Sequence, residues 1–221
     1  VYEQGEPLWL LATLDRTIFT PDADYLRGHD AVPMQWQRQL LFVKDADDPA
    51  DATYLVVRDL VRTDAPTTWN VWTLAVTGGE QVAGNVARFA GQHGVDLAIT
   101  FTRPLAQPLT TLRTQHTTRS YLTMQQDMTR VQARSDRGGD YGAVLYPTRR
   151  GVDAEPAVRE LPSGVVEVRW HDARRHLIFL FPEAREVTEA GITFKGRAGI
   201  AKLEDGKTTL TPLECETFAA R

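Results

Sequence analysis

The chain has 221 residues, of which 42% are hydrophobic and 24% charged, as expected for a soluble globular protein with a substantial core. Its formal net charge of -4 argues against non-specific binding to nucleic acid. One cysteine, Cys215, excludes an internal disulfide and a multi-cysteine metal site, and we interpret it as a small packing residue. No apolar run approaches the roughly 18 residues that cross a bilayer. Val1, without a basic or apolar leader after it, is expected to be a processed or truncated start.

The first half of the chain predicts a series of strands. An apolar run over residues 8–13 is followed by a brief run over 17–20 that stops at Pro21. Residues 36–44 and 54–61 are rich in aromatic and β-branched residues, and an acidic turn separates them. This pattern predicts a β-hairpin, and residues 68–74 predict a further strand.

The next part of the chain is less regular. Residues 95–102 alternate between apolar and polar, which predicts a half-buried strand. Residues 105–139 are rich in Thr, Gln and Arg and contain little apolar material. Tyr121, Met124 and Met128 fit one helical stripe, but a long excursion with short strands fits equally well.

Short strands are also predicted in the last third of the chain. A run over 141–146 stops at Pro147, and a hairpin joins 165–170 to 176–181, where Pro182 is expected to end the strand. Glycines and an Asp-Gly turn separate the remaining predicted strands, which cover 191–196, 198–203 and 208–213.

Together these elements predict an all-β fold. Short strands about ten residues apart, without a long amphipathic helix, indicate an antiparallel β-sandwich of two packed sheets. We expect residues 1–221 to form a single domain, with a possible sub-boundary near 147–162.

The common catalytic and cofactor signatures are absent: there is no Gly-x-Gly-x-x-Gly after a strand, P-loop, His-Glu-x-x-His or Gly-x-Ser-x-Gly. Near the N-terminus, His29 lies beside an Asp and close to Tyr25 and Arg27. This group either transfers a proton or binds a sugar acid, or forms a surface turn. Arg38 and Arg58 lie on neighbouring strands, where an Arg either binds a uronate or forms a cross-strand pair with Asp59.

Two other sets of residues admit two interpretations each. His171 and His176 flank a hairpin turn and are either facing metal ligands or part of a solvated tip. Trp36, Trp69 and Trp72 either stack on sugars or belong to the core. Because Trp69 and Trp72 are an odd number of residues apart, they are expected to point to opposite faces of a strand.

The strand patterns resemble the β-domain of heparinase II/III-like polysaccharide lyases. The resemblance covers most of the chain and is more specific for the fold than for a substrate. It is carried by Asp24 to Gly28, Trp36-x-Arg38 through Lys44, Tyr54 to Asp59, Trp69-Asn70-Val71-Trp72, Val144 to Pro147 and Gly191 to Gly199.

Such lyases join an N-terminal helical toroid to a C-terminal β-sandwich and cleave uronate-containing polysaccharides by β-elimination. The resemblance implies that this chain is the β-part of a larger protein, with the toroid as its partner domain and an acidic polysaccharide as its ligand. The family's catalytic Tyr and His residues come from the toroid and the first β-strands, so no catalytic residue is expected here. Tyr25, Arg27, His29 and Arg38 are the candidate substrate contacts.

The resemblance also bears on cofactors and location. Some members of the family bind a structural metal through a His near the third strand of this pattern, but residues 69–72 contain no His, so we expect neither metal nor cofactor. No nucleic-acid or membrane partner is expected. A periplasmic or secreted location in a bacterium follows from the resemblance alone.

Two other functions remain open at this point. One is a stand-alone carbohydrate-binding β-module without catalysis, which needs an exposed platform of aromatic and Arg side chains. The other is a structural or assembly domain without a sugar ligand.

Overall fold

In a computed structural model, residues 8–18, 32–44, 53–73, 80–118 and 124–220 are described. Their strands in chain order are β1 (Leu8–Ile18), β2 (Val32–Val43), β3 (Tyr54–Arg62), β4 (Thr67–Thr73), β5 (Glu80–Ala83), β6 (Val86–Phe89), β7 (Val95–Phe101), β8 (Thr110–Thr118), β9 (Met124–Ser135), β10 (Gly139–Arg149), β11 (Ala157–Glu160), β12 (Val166–Arg169), β13 (Arg175–Glu189), β14 (Ile192–Glu204) and β15 (Lys207–Ala220). A short helical turn at Gln92–Gly94 precedes β7. The all-β prediction is therefore confirmed for this part of the chain.

The strands form three antiparallel sheets, one more than the two expected. The seven-stranded sheet has the order β1-β2-β3-β10-β7-β6-β5, the five-stranded sheet β11-β12-β13-β14-β15, and the three-stranded sheet β4-β9-β8. The hairpin predicted from residues 36–61 is present as β2 and β3, with Arg38 opposite Asp59.

The seven-stranded sheet packs against a different sheet on each face. Val56 belongs to a core shared with the five-stranded sheet, and its neighbour Val57 to a core shared with the three-stranded sheet. Val144 and Ala143 on β10 divide in the same way. Successive side chains of a strand point to opposite faces, so a sheet covered on both sides needs apolar residues at consecutive positions. This explains the nearly continuous apolar runs of β3 and β10.

The five-stranded sheet has a second core on its other face, built around Phe179, Phe181 and Phe194. The strand predicted to end at Pro182 instead continues as β13 to Glu189. The pairing with β14 shifts in register after Leu180, so Pro182 occupies an irregular part of the ladder that needs no N–H donor there.

The Thr- and Gln-rich region is a hairpin. Residues 110–118 and 124–135 pair as β8 and β9, so the helical alternative for Met124 and Met128 was wrong, and Tyr121 lies outside the described residues. The low apolar content reflects strands that bury one face only. Among the described residues, no helix has the length and apolar character needed to cross a membrane.

The chain passes from the seven-stranded to the five-stranded sheet between Arg149 and Ala157. One core cluster contains residues of both sheets. The predicted single domain over 1–221, with a sub-boundary near 147–162, stays a prediction.

Candidate functional site

Arg38 on β2 forms a salt bridge with Asp59 on the neighbouring strand β3. Its Nε and Nη2 donate to the two carboxylate oxygens at 2.8 and 2.6 Å, in the two-pronged geometry that suits these groups. The Asp59 side chain is only 1% exposed, whereas that of Arg38 is 35% exposed. These hydrogen bonds raise the pKa of Arg38. The cross-strand Arg–Asp interpretation is thus confirmed.

The guanidinium of Arg38 also lies over the ring of Trp36, with its carbon 4.7 Å from the ring centroid. Residues two apart on a strand share a face, so the stacking follows from the spacing. Trp36, Arg38 and Asp59 together form a partly exposed aromatic and cationic group. We call these three residues the Arg38 site.

The other three candidate contacts, Tyr25, Arg27 and His29, lie outside the described residues. Their contact with substrate stays a prediction, as does that of Arg38.

Arg58, next to Asp59, points to the opposite face of β3. Its Nε and Nη2 donate to Asp140 at 3.0 and 2.8 Å, and its Nη1 donates to the carbonyl oxygen of Leu180. Arg58 is 8% exposed. The adjacent buried charges of Asp59 and Arg58 are therefore both hydrogen-bonded, on opposite faces of β3. Asp59 pairs with Arg38 across the hairpin, and Arg58 reaches the carbonyl oxygen of Leu180 in the five-stranded sheet.

A second charged pair lies beside Asp140. Arg103 donates to Glu160 at 2.6 Å, and its Nη2 is 3.6 Å from the Asp140 carboxylate. Burial raises the pKa of Glu160 in spite of the opposing effect of Arg103 and Arg58. Burial likewise lowers the pKa of Arg103, helped by the like charge of Arg58. Arg185 also acts on both Glu160 and Arg103, so this partly desolvated cluster contains three arginines and the two carboxylates of Asp140 and Glu160.

A cleft adjoins this cluster where the seven-stranded and three-stranded sheets end. Its lining includes Arg103 and Asp140 and, from β9, Arg134 and Ser135. The cleft is small, about 60 Å³, and admits single polar groups rather than a sugar ring.

His176 is buried rather than solvated. Its Nδ1 is 2.8 Å from the Tyr54 hydroxyl and its Nε2 is 3.0 Å from Glu204 Oε1. A neutral ring that donates from Nε2 to Glu204 and accepts at Nδ1 from Tyr54 satisfies both contacts. Both interpretations made for His176, metal ligand and solvated tip, were therefore wrong. Local sequence could not indicate this contact, because Tyr54 lies 122 residues away along the chain.

Trp69 and Cys215 have packing roles, whereas Trp36 belongs to the partly exposed Arg38 site. Trp69 is 8% exposed and stacks on Tyr141, with ring centroids 5.8 Å apart. The side chain of Trp72 lies outside the described part of the structure. Cys215 is half-buried beside the second core of the five-stranded sheet, and burial raises the pKa of its thiol, which disfavours the reactive thiolate.

The described side chains contain no group of three or more His, Cys, Asp or Glu residues arranged to hold a metal ion. The carboxylates of Asp59, Asp140 and Glu160 are instead taken by arginines.

No protein-family model matches the sequence, and no curated protein is similar to it at a significant level. Among solved structures, the chain is similar to heparan sulfate lyase HepC from Pedobacter heparinus, with a TM-score of 0.45 and 14% identity over 85% of this chain and 26% of the lyase. A mutant of the same lyase gives a TM-score of 0.45 and 13% identity over 92% of this chain and 28% of the lyase. The chain thus spans about a quarter of the length of these structures. The similarity is weak, and the function proposed next rests on residues of this chain.

Proposed function

We propose that this chain is the C-terminal β-domain of a heparinase II/III-like lyase that cleaves a uronate-containing polysaccharide by β-elimination. The chain supports the fold and lines one side of the substrate cleft, and a helical toroid domain of the same protein supplies the catalytic residues.

Support comes from Arg38 and Asp59, two of the residues that carry the resemblance to these lyases, and from the role that they have in this fold. Arg38 and Asp59 form a two-pronged ion pair between β2 and β3 of the seven-stranded sheet, with Asp59 almost fully buried. Apolar strand patterns occur in any β-sandwich, but Asp and Arg are rarely buried in one. The Arg at position 38 and the Asp at position 59 therefore support the resemblance to the lyase β-domain more strongly than the apolar positions do.

The Arg38 site also fits an acidic sugar. Asp59 occupies Nε and Nη2 of Arg38, which leaves the Nη1 group as the donor for a carboxylate. The ring of Trp36 beside it offers an apolar surface of the kind that packs on the C–H face of a sugar. Both groups sit on rigid strands, which holds them in place for binding.

The isolated chain is expected to lack lyase activity. A base must come within hydrogen-bond reach of the proton that it removes. Tyr54 and His176 contact each other, but both are fully buried. A polysaccharide cannot reach either group.

The test compares the purified chain with the protein that the native host makes. Both are incubated with heparan sulfate and with alginate, and the ultraviolet absorbance of unsaturated uronate is followed. We expect product from the native protein and none from the chain. Product from the chain alone would place catalysis within these 221 residues, and no product from the native protein on any acidic polysaccharide would refute the lyase assignment.

The intact mass of the native protein under denaturing conditions separates the proposal from the alternative of a free carbohydrate-binding module. A mass well above that of 221 residues is expected. A mass equal to this chain would make binding without catalysis the leading function.

A further inference from the structure

The outer face of the three-stranded sheet has an unusual composition. The inner face contributes Trp69, Val131 and Ala133 to a core. Among the described side chains, the alternate, outward positions of the paired strands carry no Asp or Glu. The positions whose side chains are described are Thr68 and Asn70 on β4, Met128, Arg130, Gln132 and Arg134 on β9, and Thr110 and Leu112 on β8.

The absence of acids at these positions is informative because the chain as a whole is acidic, with 29 Asp and Glu against 25 Lys and Arg. Strands that merely face water usually carry both signs of charge. A face with arginines and no carboxylates has a local positive potential and attracts anions.

The polar side chains of this face are connected across all three strands. Gln132 on the central strand donates from Nε2 to Asn70 Oδ1 at 2.9 Å. Its Oε1 accepts from Thr110 at 3.5 Å and from Arg134 at 3.3 Å. The four side chains therefore form one hydrogen-bonded ladder that fixes their orientation on the surface.

The ladder leaves donors and acceptors available to a ligand. An Arg has five N–H donors and an amide has two donors and two acceptors, so the contacts within the ladder use only part of the capacity of Arg134, Asn70 and Gln132. Thr68, Thr110, Leu112 and Arg134 are exposed. Fixed amides, hydroxyls and guanidinium groups on a flat sheet suit a polymer that carries both hydroxyl and carboxylate or sulfate groups.

The spacing of the arginines also fits a polymer. Arg130 and Arg134 are four residues apart on β9, or about 13 Å at the usual rise of a strand. An extended polysaccharide lying along the strand presents charges on successive repeating units over such a distance. A small anion would contact one arginine at a time.

We propose that the outer face of the three-stranded sheet, defined by Asn70, Thr110, Arg130, Gln132 and Arg134, is a binding surface for an extended anionic polysaccharide, separate from the Arg38 site. Arg38 belongs to the seven-stranded sheet and pairs with Asp59 there, so the two sites use different sheets. The choice of polymer rests on the proposed function, whereas the existence of the surface rests on the contacts above.

The test measures binding of the chain to size-defined heparin and alginate oligosaccharides by calorimetry at low salt. We expect Arg130→Ala/Arg134→Ala to weaken binding about tenfold or more and to reduce its salt dependence. Arg169→Ala/Lys207→Ala is the matched control, because it removes the same charge from two exposed residues of the five-stranded sheet. An equal loss in the control would show general charge attraction and overturn the proposal, as would no loss in the double variant.

Two further variants keep the result interpretable. Arg134→Ala alone changes one exposed side chain and should fold normally, which is checked by its thermal midpoint, and a several-fold loss of binding is expected. Gln132→Ala removes the centre of the ladder without changing charge and should also weaken binding. If a DNA duplex competes as well as the oligosaccharide does, recognition is of charge alone and the glycan assignment fails.

Failure here is distinguishable from failure of the proposed function. If Arg38→Ala weakens oligosaccharide binding but the variants of β9 do not, the outer face is overturned and the cleft assignment stands. If the variants of β9 weaken binding but the native protein releases no unsaturated uronate, the lyase assignment alone is overturned.

Discussion

Tyr54 and His176 lie on strands of different sheets, and their hydroxyl and Nδ1 atoms are 2.8 Å apart in the core between those sheets. Neither side chain is exposed to solvent. The ring of Trp170 packs edge-on against His176, with centroids 4.8 Å apart. The hydrogen bond thus joins the seven-stranded and five-stranded sheets where no water can replace it.

We expect Tyr54→Phe to destabilise the protein by about 1–3 kcal/mol at pH 7, because the change leaves the buried His176 nitrogen without its donor. Burial raises the pKa of Tyr54 well above its usual value of 10.0. The unfolded chain therefore releases this proton first, and the free energy of unfolding falls as the pH rises above about 10.

Urea unfolding of both proteins between pH 7 and 11 checks this prediction. The variant should lose less stability at alkaline pH than the original chain. A residual loss is expected, since burial also raises the pKa of Tyr141. Identical alkaline slopes would contradict the assignment to Tyr54.

Arg38→Ala is expected to destabilise the chain by about 3 kcal/mol, since it leaves the carboxylate of Asp59, 1% exposed, without its partner. The value lies at the low end for a broken buried pair because Arg38 itself is partly exposed. Arg38→Gln/Asp59→Asn should recover most of the loss, because the two amides are neutral and can still hydrogen-bond. Chemical denaturation of the three proteins tests the pair, and equal losses in both variants would refute this account.

The sequence predicted best those features that depend on neighbouring residues. The hairpin of β2 and β3 was predicted from its apolar runs and its acidic turn, and the Arg38–Asp59 pair was one of two interpretations of that register. Both features follow from the period of two along a strand.

Long-range packing could not be predicted in this way. His176 follows two arginines at a hairpin, which suggests exposure, yet the fold brings Tyr54 and Glu204 to its two nitrogens. The end of β13 was misplaced at Pro182 because a register shift, which depends on the partner strand, accommodates the proline. The polar ladder of Asn70 and Gln132 needed the pairing of β4 with β9.

Gly138→Ala is expected to destabilise the chain by about 2 kcal/mol or more. Gly138 has φ +52°, where a side chain is strained, and an added Cβ would lie 2.6 Å from the carbonyl oxygen of Val61. Gly206→Ala is the control, because its φ of +71° brings the same strain but nothing lies within 4 Å of an added Cβ. Thermal unfolding should show about 1 kcal/mol for the control, and equal effects would mean that the close contact relaxes freely.

Glu160→Gln is expected to alter how stability depends on pH. Burial raises the pKa of Glu160 above its ordinary value of 4.5, so the folded chain holds this proton more tightly than the unfolded chain does. The free energy of unfolding therefore falls as the pH rises from the ordinary value through the raised one, and the charged group opposes folding at neutral pH. A Gln keeps the shape and cannot titrate.

Denaturation of both proteins from pH 4 to pH 7 measures this contribution. The stability of Glu160→Gln relative to the original chain should increase across that range, even though the variant loses its charge-assisted bond to Arg103 at every pH where Glu160 is ionised. Glu183→Gln is a suitable comparison, because Glu183 is 76% exposed and also pairs with an arginine, Arg62. A relative stability that decreases with pH would mean that attraction to Arg103 and Arg58 outweighs the effect of burial at Glu160.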